Sequence, residues 1–302
     1  EWRDYRDVAV IAFPTPTDDT GKPLEPEDVR SNRAGDWKKF IKGEADAPMQ
    51  LSPAGENDPN WVEITFPEET VVRTVEFPSV NSLTHAWCYE PGVELTVQAI
   101  LPSGSAEDIL HTYLPQGSWQ DDRPVSLACT ETEEVRKYRI VIRNEHDMTL
   151  QSLRLFSAAR KNNWESEAGW TGQSAEQSPD TYVKMSRIID LSDKLNEDGS
   201  LDWKAPEGKW TVLRIGHVNT GMKNGPAPAE GTGWECDKLS TAGSDAQFDG
   251  YIGRLAKSGG PLAGGLLNGV LFDSWECKTQ TWTPEMEKEF VERTGYGLRK
   301  WI

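Results

Sequence analysis

Residues 93–99 read Val-Glu-Leu-Thr-Val-Gln-Ala, and in this stretch apolar and polar side chains alternate one by one. The same period of two recurs in residues 62–66 and 138–142. Such alternation is typical of β-strands that bury one face and expose the other to water. Because turn residues separate these segments, we expect residues 61–156 to form the antiparallel strands of a β-sandwich or jelly roll.

A different pattern lies near the start of the chain, where Val8-Ala-Val-Ile-Ala-Phe13 is apolar without interruption and stops at Pro14. A strand that is apolar on both faces is typical of a parallel sheet covered on both sides. We therefore expect residues 8–13 to form a buried parallel strand. Residues 17–60 are polar and rich in Pro, Asp and Gly, which predicts a long connection.

Downstream of the sandwich segment, strand patterns alternate with helix patterns. The predicted strands cover residues 182–191, 211–217 and 269–273. The predicted helices cover residues 244–257, opened by a capping box at Ser244, and 284–293, with Thr283 as N-cap. A strand–helix–strand–helix order implies a parallel sheet or a barrel. Since an eight-stranded barrel needs ~250 residues of its own, this chain can hold only part of one.

The predicted fold class is therefore α/β plus β, an incomplete (β/α)8 TIM-barrel portion interrupted by an inserted antiparallel β-sandwich. The expected domains are a barrel strand segment at 1–20, the sandwich with its connections at 21–165, and a barrel segment at 166–302. The chain starts at Glu1 without a methionine and ends just after a helical pattern, so we expect both ends to be cut from a longer protein.

The net charge of the chain limits the classes of molecule that it is expected to bind. It carries 32 Lys and Arg against 49 Asp and Glu, a formal net charge of −17, which repels nucleic acids and anionic membrane surfaces. No apolar run approaches the ~20 residues that span a bilayer. The four cysteines have no CxxC spacing, so a structural zinc site is not expected. A neutral or cationic substrate, or one bound with help from a metal, fits this charge.

Two loops are the candidate active site, because barrel enzymes carry their reactive groups at the carboxyl ends of strands. One loop follows His217 and contains Glu235 beside Trp234, and the other contains Glu276 beside Trp275. Glycoside hydrolysis needs two carboxyl groups, and an apolar neighbour can keep one of them protonated. For each glutamate, an ion pair or a solvated loop position is the alternative.

The remaining candidates are polar groups in the same loops. His217, Asn219, Asn224 and Asp273 are candidate sugar-binding residues, together with Trp234 and Trp275. For His217 a hydrogen-bonded core position is the alternative, and for the two asparagines the closing of turns. Asp237 is either a calcium ligand or the partner of a lysine such as Lys238. Cys236 and Cys277 are expected to pack or to form a disulfide rather than act as nucleophiles.

Several stretches resemble glycoside hydrolase family 106, the bacterial α-L-rhamnosidases. These stretches are Arg214-Ile-Gly-His217, Gly225-Pro-Ala-Pro228, Gly233-Trp-Glu-Cys-Asp-Lys-Leu-Ser240, Phe248-Asp249, Asp273-Ser-Trp-Glu276 and Trp282-Thr-Pro284, with Asp7–Pro14 and Ser157–Trp164 around the insertion. The Glu-Cys-Asp-Lys-Leu-Ser block is the most specific of them. The sandwich resembles discoidin-like or galactose-binding-like carbohydrate-binding modules more loosely.

The resemblance implies an inverting, calcium-assisted hydrolase, periplasmic or extracellular, that acts on terminal α-L-rhamnose in plant polysaccharides or glycosides. It implies Glu235 as one catalytic carboxylate and Glu276 as a second carboxylate or sugar ligand, although the second carboxylate can also lie beyond Ile302. We expect the isolated piece to be inactive. The alternative function is a non-catalytic carbohydrate-binding module, which predicts exposed aromatic side chains such as Trp87 or Trp119 on the sandwich.

Overall fold

The computed structural model describes residues 4–16, 20–78, 92–114, 124–164, 176–178, 181–257, 259–271 and 280–302. The chain divides into two compact units. One unit is Pro16–Val183, and the other combines Glu1–Thr15 with Lys184–Ile302. Trp87 and Trp119 lie outside the described residues, so the aromatic patch predicted there stays a prediction.

The described elements are mostly strands. In chain order they are β1 (Arg6–Pro14), β2 (Asp28–Ser31), β3 (Met49–Leu51), β4 (Asn60–Thr70), β5 (Thr74–Phe77), β6 (Val93–Ile100), β7 (Ala106–Tyr113), β8 (Val125–Ala128), β9 (Val135–Asn144), β10 (Met148–Leu150), β11 (Arg154–Phe156), β12 (Ile189–Asp190) and β13 (Trp210–His217). The α-helices are α1 (Trp37–Lys42), α2 (Thr241–Gly250), α3 (Ile252–Ala256) and α4 (Met286–Thr294). Short 3₁₀ turns lie at Met185–Arg187, Ser192–Lys194, Ala229–Gly231 and Arg299–Trp301.

The unit Pro16–Val183 is the predicted β-sandwich. Its larger sheet has the strand order β2-β4-β9-β6-β7, and smaller sheets have the orders β11-β5-β8 and β10-β3, with every pair antiparallel. The alternation in the sequence sets the register, because Leu95 pairs with Ile142 and Val97 with Ile140, all four of them buried. These side chains share one core with Phe77 and residues of the other sheets, which confirms the sandwich.

Residues 17–60 are more than the long connection that their composition predicted. They contain β2, α1 and β3, and α1 adds Trp37, Phe40 and Ile41 to the sandwich core. Asp36 caps this helix by accepting a hydrogen bond from the Lys39 amide at 3.1 Å. Six residues are too few to produce a recognisable helical period, which is why the pattern did not reveal this element.

In the other unit, β1 is the central strand, and the prediction that it is parallel to its neighbours is wrong. It pairs antiparallel with β12 on one side and with β13 on the other, with Val10 opposite Arg214 and Ala12 opposite Val212. Residues 8–12 are all buried, as the apolar run predicted. The run reports burial on both faces and carries no information on strand direction. All described strand pairs of this unit are antiparallel, so a (β/α)8 barrel is not shown.

The tail of this unit also departs from the predicted strand–helix alternation. Of residues 182–191 only Ile189–Asp190 form a strand, and residues 269–271 form none, while 272 and 273 lie outside the described part. The helix predicted over 244–257 begins earlier, at Thr241, and breaks at Tyr251. The last helix begins at Met286 rather than at residue 284 and ends at Thr294, with Gly295 at φ 78° as its C-cap.

The predicted capping box at Ser244 is wrong, because Ser240 is the N-cap of α2. The Ser240 hydroxyl oxygen accepts a hydrogen bond from the Gly243 amide at 3.0 Å, while Ser244 lies inside the helix and donates to the Ser240 carbonyl. Both serines precede helix-compatible residues, so the local pattern could not separate them. Within the described part of the chain, no helix is long and apolar enough to cross a membrane.

Candidate active site

The loop after β13 folds back on itself and brings Glu235 next to the start of the loop. The Glu235 amide donates to the Met222 carbonyl at 3.0 Å, and the Asn224 amide donates to the Gly233 carbonyl at 3.0 Å. Lys223 and Trp234 form an antiparallel bridge between these two contacts. Backbone hydrogen bonds therefore fix the position of Glu235, although no regular strand carries it.

Asn224 closes this loop with its side chain. Its carboxamide oxygen accepts from the Gly233 amide at 2.7 Å, and its NH₂ group donates to the Gly231 carbonyl at 3.0 Å. Asn219 has a comparable role nearer the strand, where its Oδ1 accepts from the Asp4 amide at 3.3 Å. Of the two alternatives open for these asparagines, the geometry places both side chains in structural hydrogen bonds.

Trp234 and Glu235 are consecutive but meet different surroundings. The Trp234 side chain is 63% exposed, and the Lys223 ammonium lies 5.6 Å from the centre of its ring. The Glu235 side chain is only 16% exposed, and its carboxylate forms an ion pair with Lys238. The described ion pair of Lys238 is thus with Glu235, whereas Asp237 was the partner that the sequence offered as one alternative.

Asp237 anchors the loop through hydrogen bonds. Its Oδ1 accepts from the Leu239 amide at 3.0 Å, and its Oδ2 accepts from the Thr283 hydroxyl at 2.7 Å. The N-cap of α4 is Glu285, so the prediction of Thr283 as N-cap is wrong, and the buried Thr283 donates its hydroxyl hydrogen to Asp237 instead. Because Asp237 lies three residues before Ser240, its anchoring also fixes the start of α2, where the Ser240 hydroxyl donates to the Asp237 carbonyl.

The segment Gln280–Thr283 holds the Glu235 loop in place. The Gln280 side chain bridges two backbone groups, because its Oε1 accepts from the Lys238 amide at 3.0 Å and its Nε2 donates to the Cys236 carbonyl at 2.9 Å. Trp282 stacks on His217, with ring centres 6.1 Å apart and planes inclined by 28°. Sequence reasoning missed Gln280, since a neutral amide that binds a distant backbone leaves no local pattern.

Asp273, Trp275, Glu276 and Cys277 all lie outside the described residues, so the pairing of Glu235 with Glu276 stays a prediction. Among the described cysteines, Cys236 and Cys129 are free thiols, and burial raises the pKa of Cys129 to about 12. A thiol with that pKa is protonated at neutral pH and is a poor nucleophile.

The described residues do not fit a calcium site. They include no group of three or more His, Cys, Asp or Glu side chains placed to hold a metal ion. Both carboxylate oxygens of Asp237, the residue singled out as a ligand, already accept protein hydrogen bonds. Calcium binds six to eight oxygen ligands, several of them carboxylates, and the described residues around Asp237 do not supply such a set.

What this arrangement offers chemically is a carboxylate in a fixed loop, next to a cation and within a region bearing aromatic rings. Such a carboxylate can accept a proton from water or a hydroxyl group. Exposed indole and stacked imidazole–indole faces suit the apolar faces of sugar rings. The site residues that the chain brings together are Glu235, Lys238 and the segment Gln280–Thr283.

Comparisons with known proteins place these features in a family. The sequence profile of glycoside hydrolase family 106, described as alpha-L-rhamnosidase, matches residues 2–302. A rhamnosidase from Novosphingobium sp. PP1Y has a similar structure, with a TM-score of 0.69 over 99% of this chain and 28% of that chain, at 24% identity. At 24% identity, this structural similarity shows a similar fold and does not show a similar activity.

Two further relatives are more partial. A Formosa agariphila protein, provisionally named a beta-glucuronidase, is 40% identical over 123 residues, which is 41% of this chain and 11% of that protein. A pectin-binding carbohydrate-binding module matches over 45% of this chain and 94% of that module, at 12% identity and with a TM-score of 0.31. The chain therefore spans about a tenth of the curated relative and just over a quarter of the solved rhamnosidase.

Proposed function

Because the chain belongs to glycoside hydrolase family 106, described as alpha-L-rhamnosidase, we propose that it is part of an enzyme that hydrolyses terminal α-L-rhamnosyl linkages in plant polysaccharides or glycosides. The match over residues 2–302 is the observation that carries the proposal. The chain spans 28% of the solved rhamnosidase, so the activity is proposed for the whole protein. We expect the isolated chain to release no rhamnose.

Glu235 is the proposed general base of an inverting reaction. In that mechanism one carboxylate takes a proton from water as the water oxygen attacks the anomeric carbon, and a second carboxyl group protonates the departing glycosidic oxygen. A base must be ionised, and the ion pair between Glu235 and Lys238 involves the ionised form. The contact with Lys238 therefore supports the base role over the acid role for Glu235.

Glu276 is the proposed acid or second sugar-binding carboxylate, on the family resemblance alone. An inverting enzyme leaves room for the attacking water, so the two carboxyl groups are expected ~6.5–9.5 Å apart. Asp273 and Trp275 are proposed sugar ligands on the same basis. If the partner of Glu235 lies beyond Ile302, the Glu276→Gln variant of the whole enzyme will keep its turnover rate and lose only substrate affinity.

Sugar binding is proposed at the aromatic faces near Glu235. Trp234 is exposed, and the His217–Trp282 stack lies at the end of β13, where the Glu235 loop begins. Flat aromatic faces bind pyranose rings through their apolar sides. Asn224 supports this surface by fixing the loop, since both ends of its amide group bind loop backbone, and the Asn219 side-chain oxygen accepts from the Asp4 amide.

Calcium assistance and a periplasmic or extracellular location are the parts of the proposal that rest on the resemblance only. The base role of Glu235 needs no metal at Asp237. If the whole enzyme depends on calcium, Asp237→Asn should leave that dependence unchanged, because the described residues around Asp237 do not form a calcium site.

The deciding experiment measures rhamnose release by the whole enzyme, comparing wild type with Glu235→Gln. Loss of a general base lowers rates by ~10²–10⁴-fold, so kcat/KM for an α-L-rhamnoside should fall by about that factor. Glu230→Gln is the matched control, because Glu230 is an exposed carboxylate in the same loop. We expect Glu230→Gln to keep activity within about threefold, as is typical of exposed surface positions.

Two outcomes would contradict the assignment. If Glu235→Gln keeps wild-type activity, Glu235 is not the base. If a β-rhamnoside or a glucuronide is hydrolysed and the α-L-rhamnoside is not, the substrate assignment is wrong even if Glu235 is catalytic. Product stereochemistry, followed by NMR during the first turnovers, tests the inverting mechanism separately.

A further inference from the structure

The outer face of the larger sandwich sheet contains a cavity of about 360 Å³. Glu94, Thr96 and Gln98 of β6 line it, on the face opposite the core residues of the same strand. Small-molecule sites usually have volumes of ~300–1,000 Å³. The volume alone is therefore sufficient for a small ligand such as a monosaccharide, and none of the lining residues is one that the sequence assigned to catalysis.

The floor of this cavity is recessed below the surface. Thr96 is only 5% exposed and Val141 only 8% exposed, although both side chains lie on the outer face of the sheet. The Thr96 hydroxyl is 3.1 Å from Nδ1 of His111 on the neighbouring strand β7. A depression of this kind, walled by longer polar side chains, distinguishes the cavity from a flat solvated sheet face.

Some polar groups of the cavity wall are already paired, since Gln98 Nε2 donates to Asp108 Oδ1 at 2.8 Å, but Glu94 makes only longer contacts. Glu94 lies between His111 and Arg143, at 3.4 Å from Nε2 and 3.6 Å from the nearer terminal guanidinium nitrogen. Both distances exceed the usual 2.7–3.2 Å of a hydrogen bond. Nε of Arg143 is buried without a hydrogen-bond partner among the described residues, but so is Nε of Arg139 on the same sheet face, so this atom does not distinguish the cavity. The hydrogen-bonding capacity that remains at the wall is that of the Glu94 carboxylate and the terminal nitrogens of Arg143, whose mutual contact is long.

A second ion-pair cluster on the same sheet face contains a carboxylate whose two oxygens both have close partners. Glu63 of β4 is 2.8 Å from a terminal nitrogen of Arg139 and 3.2 Å from Nζ of Lys137. There, one carboxylate has a close cation on each of its two oxygens. The long contacts around Glu94 are thus a local feature of the cavity and not a property of the whole face.

Charge and composition narrow the ligand class. The cavity is lined by the carboxyl side chains Glu56, Glu94 and Asp108 against one guanidinium, Arg143, and this excess of negative charge disfavours an anion. The described residues hold no metal-binding group of three side chains, which argues against a cation site of that kind. A neutral polyol, with hydroxyl groups that both donate and accept, matches the mixture of carboxylate, guanidinium and amide groups.

An aromatic ring stands beside this wall. Tyr113 pairs with Glu94 in the β6–β7 register, its side chain is 70% exposed, and its ring centre is 6.5 Å from that of His111. A tyrosine ring presents an apolar face to a pyranose and a hydroxyl group to its substituents. Polar groups that bind hydroxyls next to an aromatic face form the combination that sugars require.

We propose that the cavity between β6, β7 and β9 is a binding site for a neutral saccharide, separate from the Glu235 loop. Glu94 accepts a hydrogen bond from one hydroxyl group of the sugar, and Arg143 donates a hydrogen bond to an adjacent hydroxyl group. The sugar thereby supplies hydrogen bonds that Glu94 and Arg143 do not form with each other. Tyr113 packs against the apolar face of the ring. The site binds without hydrolysis, so it does not depend on the proposed catalytic role of Glu235.

The test is an NMR titration of this chain with L-rhamnose, D-galactose and D-glucose in turn. The protein has four histidines, so the His111 ring signals can be assigned with a His111→Gln variant. We expect at least one neutral sugar to move the His111 signals saturably. Glu94→Gln should weaken that binding at least tenfold and Tyr113→Ala at least threefold, whereas Glu63→Gln, on the same sheet face, should change it less than twofold.

Other outcomes overturn the proposal. It fails if none of the three sugars moves the His111 signals up to the highest soluble concentration. It also fails if D-galacturonate or Ca²⁺ alone binds there and the neutral sugars do not, or if Glu63→Gln weakens binding as much as Glu94→Gln. Glu235→Gln should leave the titration unchanged, so that loss of hydrolysis and loss of this site are separately observable.

Discussion

The two units of this chain bury their apolar residues to very different extents. In the sandwich unit, buried residues of several sheets and of α1 form one continuous core. In the other unit, the buried cluster is small, with Val10, Ala12 and Leu191 at its centre, and Leu213 on β13 is exposed. The sandwich is therefore stabilised by its own strands, whereas the unit that carries Glu235 leaves apolar strand surface uncovered.

This difference bears on function. The strands that form the cavity beside Glu94 pack their opposite face on the sandwich core, and this packing fixes the positions of the strands. The Glu235 loop is supported mainly by hydrogen bonds from Asn224, Gln280 and Thr283. Binding on the sandwich is thus expected of this chain alone, while catalysis is expected only of the whole protein.

The largest expected effect contrasts a core residue with an exposed one. Ile140→Ala in β9 removes a fully buried side chain, and such changes cost ~2–5 kcal/mol. Leu213→Ala in β13 removes an exposed side chain, and should change the free energy of unfolding by no more than ~0.5 kcal/mol. Urea unfolding of this chain, followed by circular dichroism, measures both. Equal losses would show that β13 buries its apolar face in solution.

A smaller effect is expected at the Glu235 loop. Lys238→Met in the whole enzyme removes the ammonium group that pairs with Glu235, and we expect kcat to fall about tenfold, which is 1.4 kcal/mol, with KM little changed. Lys238→Arg keeps the charge and should restore most of the activity. Lys288→Met on α4 is the control, because Lys288 forms an exposed pair with Glu285. A change in KM alone would mean that Lys238 binds substrate instead of positioning Glu235.

The sequence predicts the sandwich better than it predicts the other unit, for a physical reason. In residues 138–142 the polarity of each residue indicates whether it lies on the buried or the exposed face of the sheet, because side chains in a strand alternate strictly. The run Val8–Phe13 indicates only that both faces of the strand are buried. Its antiparallel partner β13 lies about two hundred residues away in sequence. Strand direction depends on that distant partner, and no local pattern records it.

The candidate site likewise contains one residue that the sequence could identify and several contacts that it could not. Glu235 was identifiable, because a carboxylate beside a tryptophan after a strand is a local pattern with a chemical meaning. Its ion pair with Lys238 joins residues three apart in a loop that has no helical period, so only the structure could show it. Gln280 and Thr283 bind the loop from more than forty residues away, and their contribution depends entirely on the tertiary fold.

The smallest expected effect is on acid stability and compares one carboxylate from each unit. Burial raises the pKa of Glu63, but hydrogen bonds from Arg139 and Lys137 outweigh it, so its net pKa lies below the ordinary 4.5. The pKa of Asp7 in β1 is also lowered, mainly by its hydrogen bond with Arg214. A carboxyl group with a lowered pKa stabilises the fold above its unfolded-state pKa, and this stabilisation is lost as pH falls through the folded-state value.

Stability measured between pH 7 and pH 3 should therefore fall less steeply in Glu63→Gln and in Asp7→Asn than in wild type. Because Lys137 and Arg139 are substantially exposed, screening limits the Glu63 contribution to ~0.5–1 kcal/mol. The Asp7 pair is more open to solvent than Glu63, so Asp7→Asn should have the smaller effect. If Asp7→Asn flattens the pH dependence more than Glu63→Gln, the strand pair β1–β13 is less accessible to water than its exposed side chains indicate.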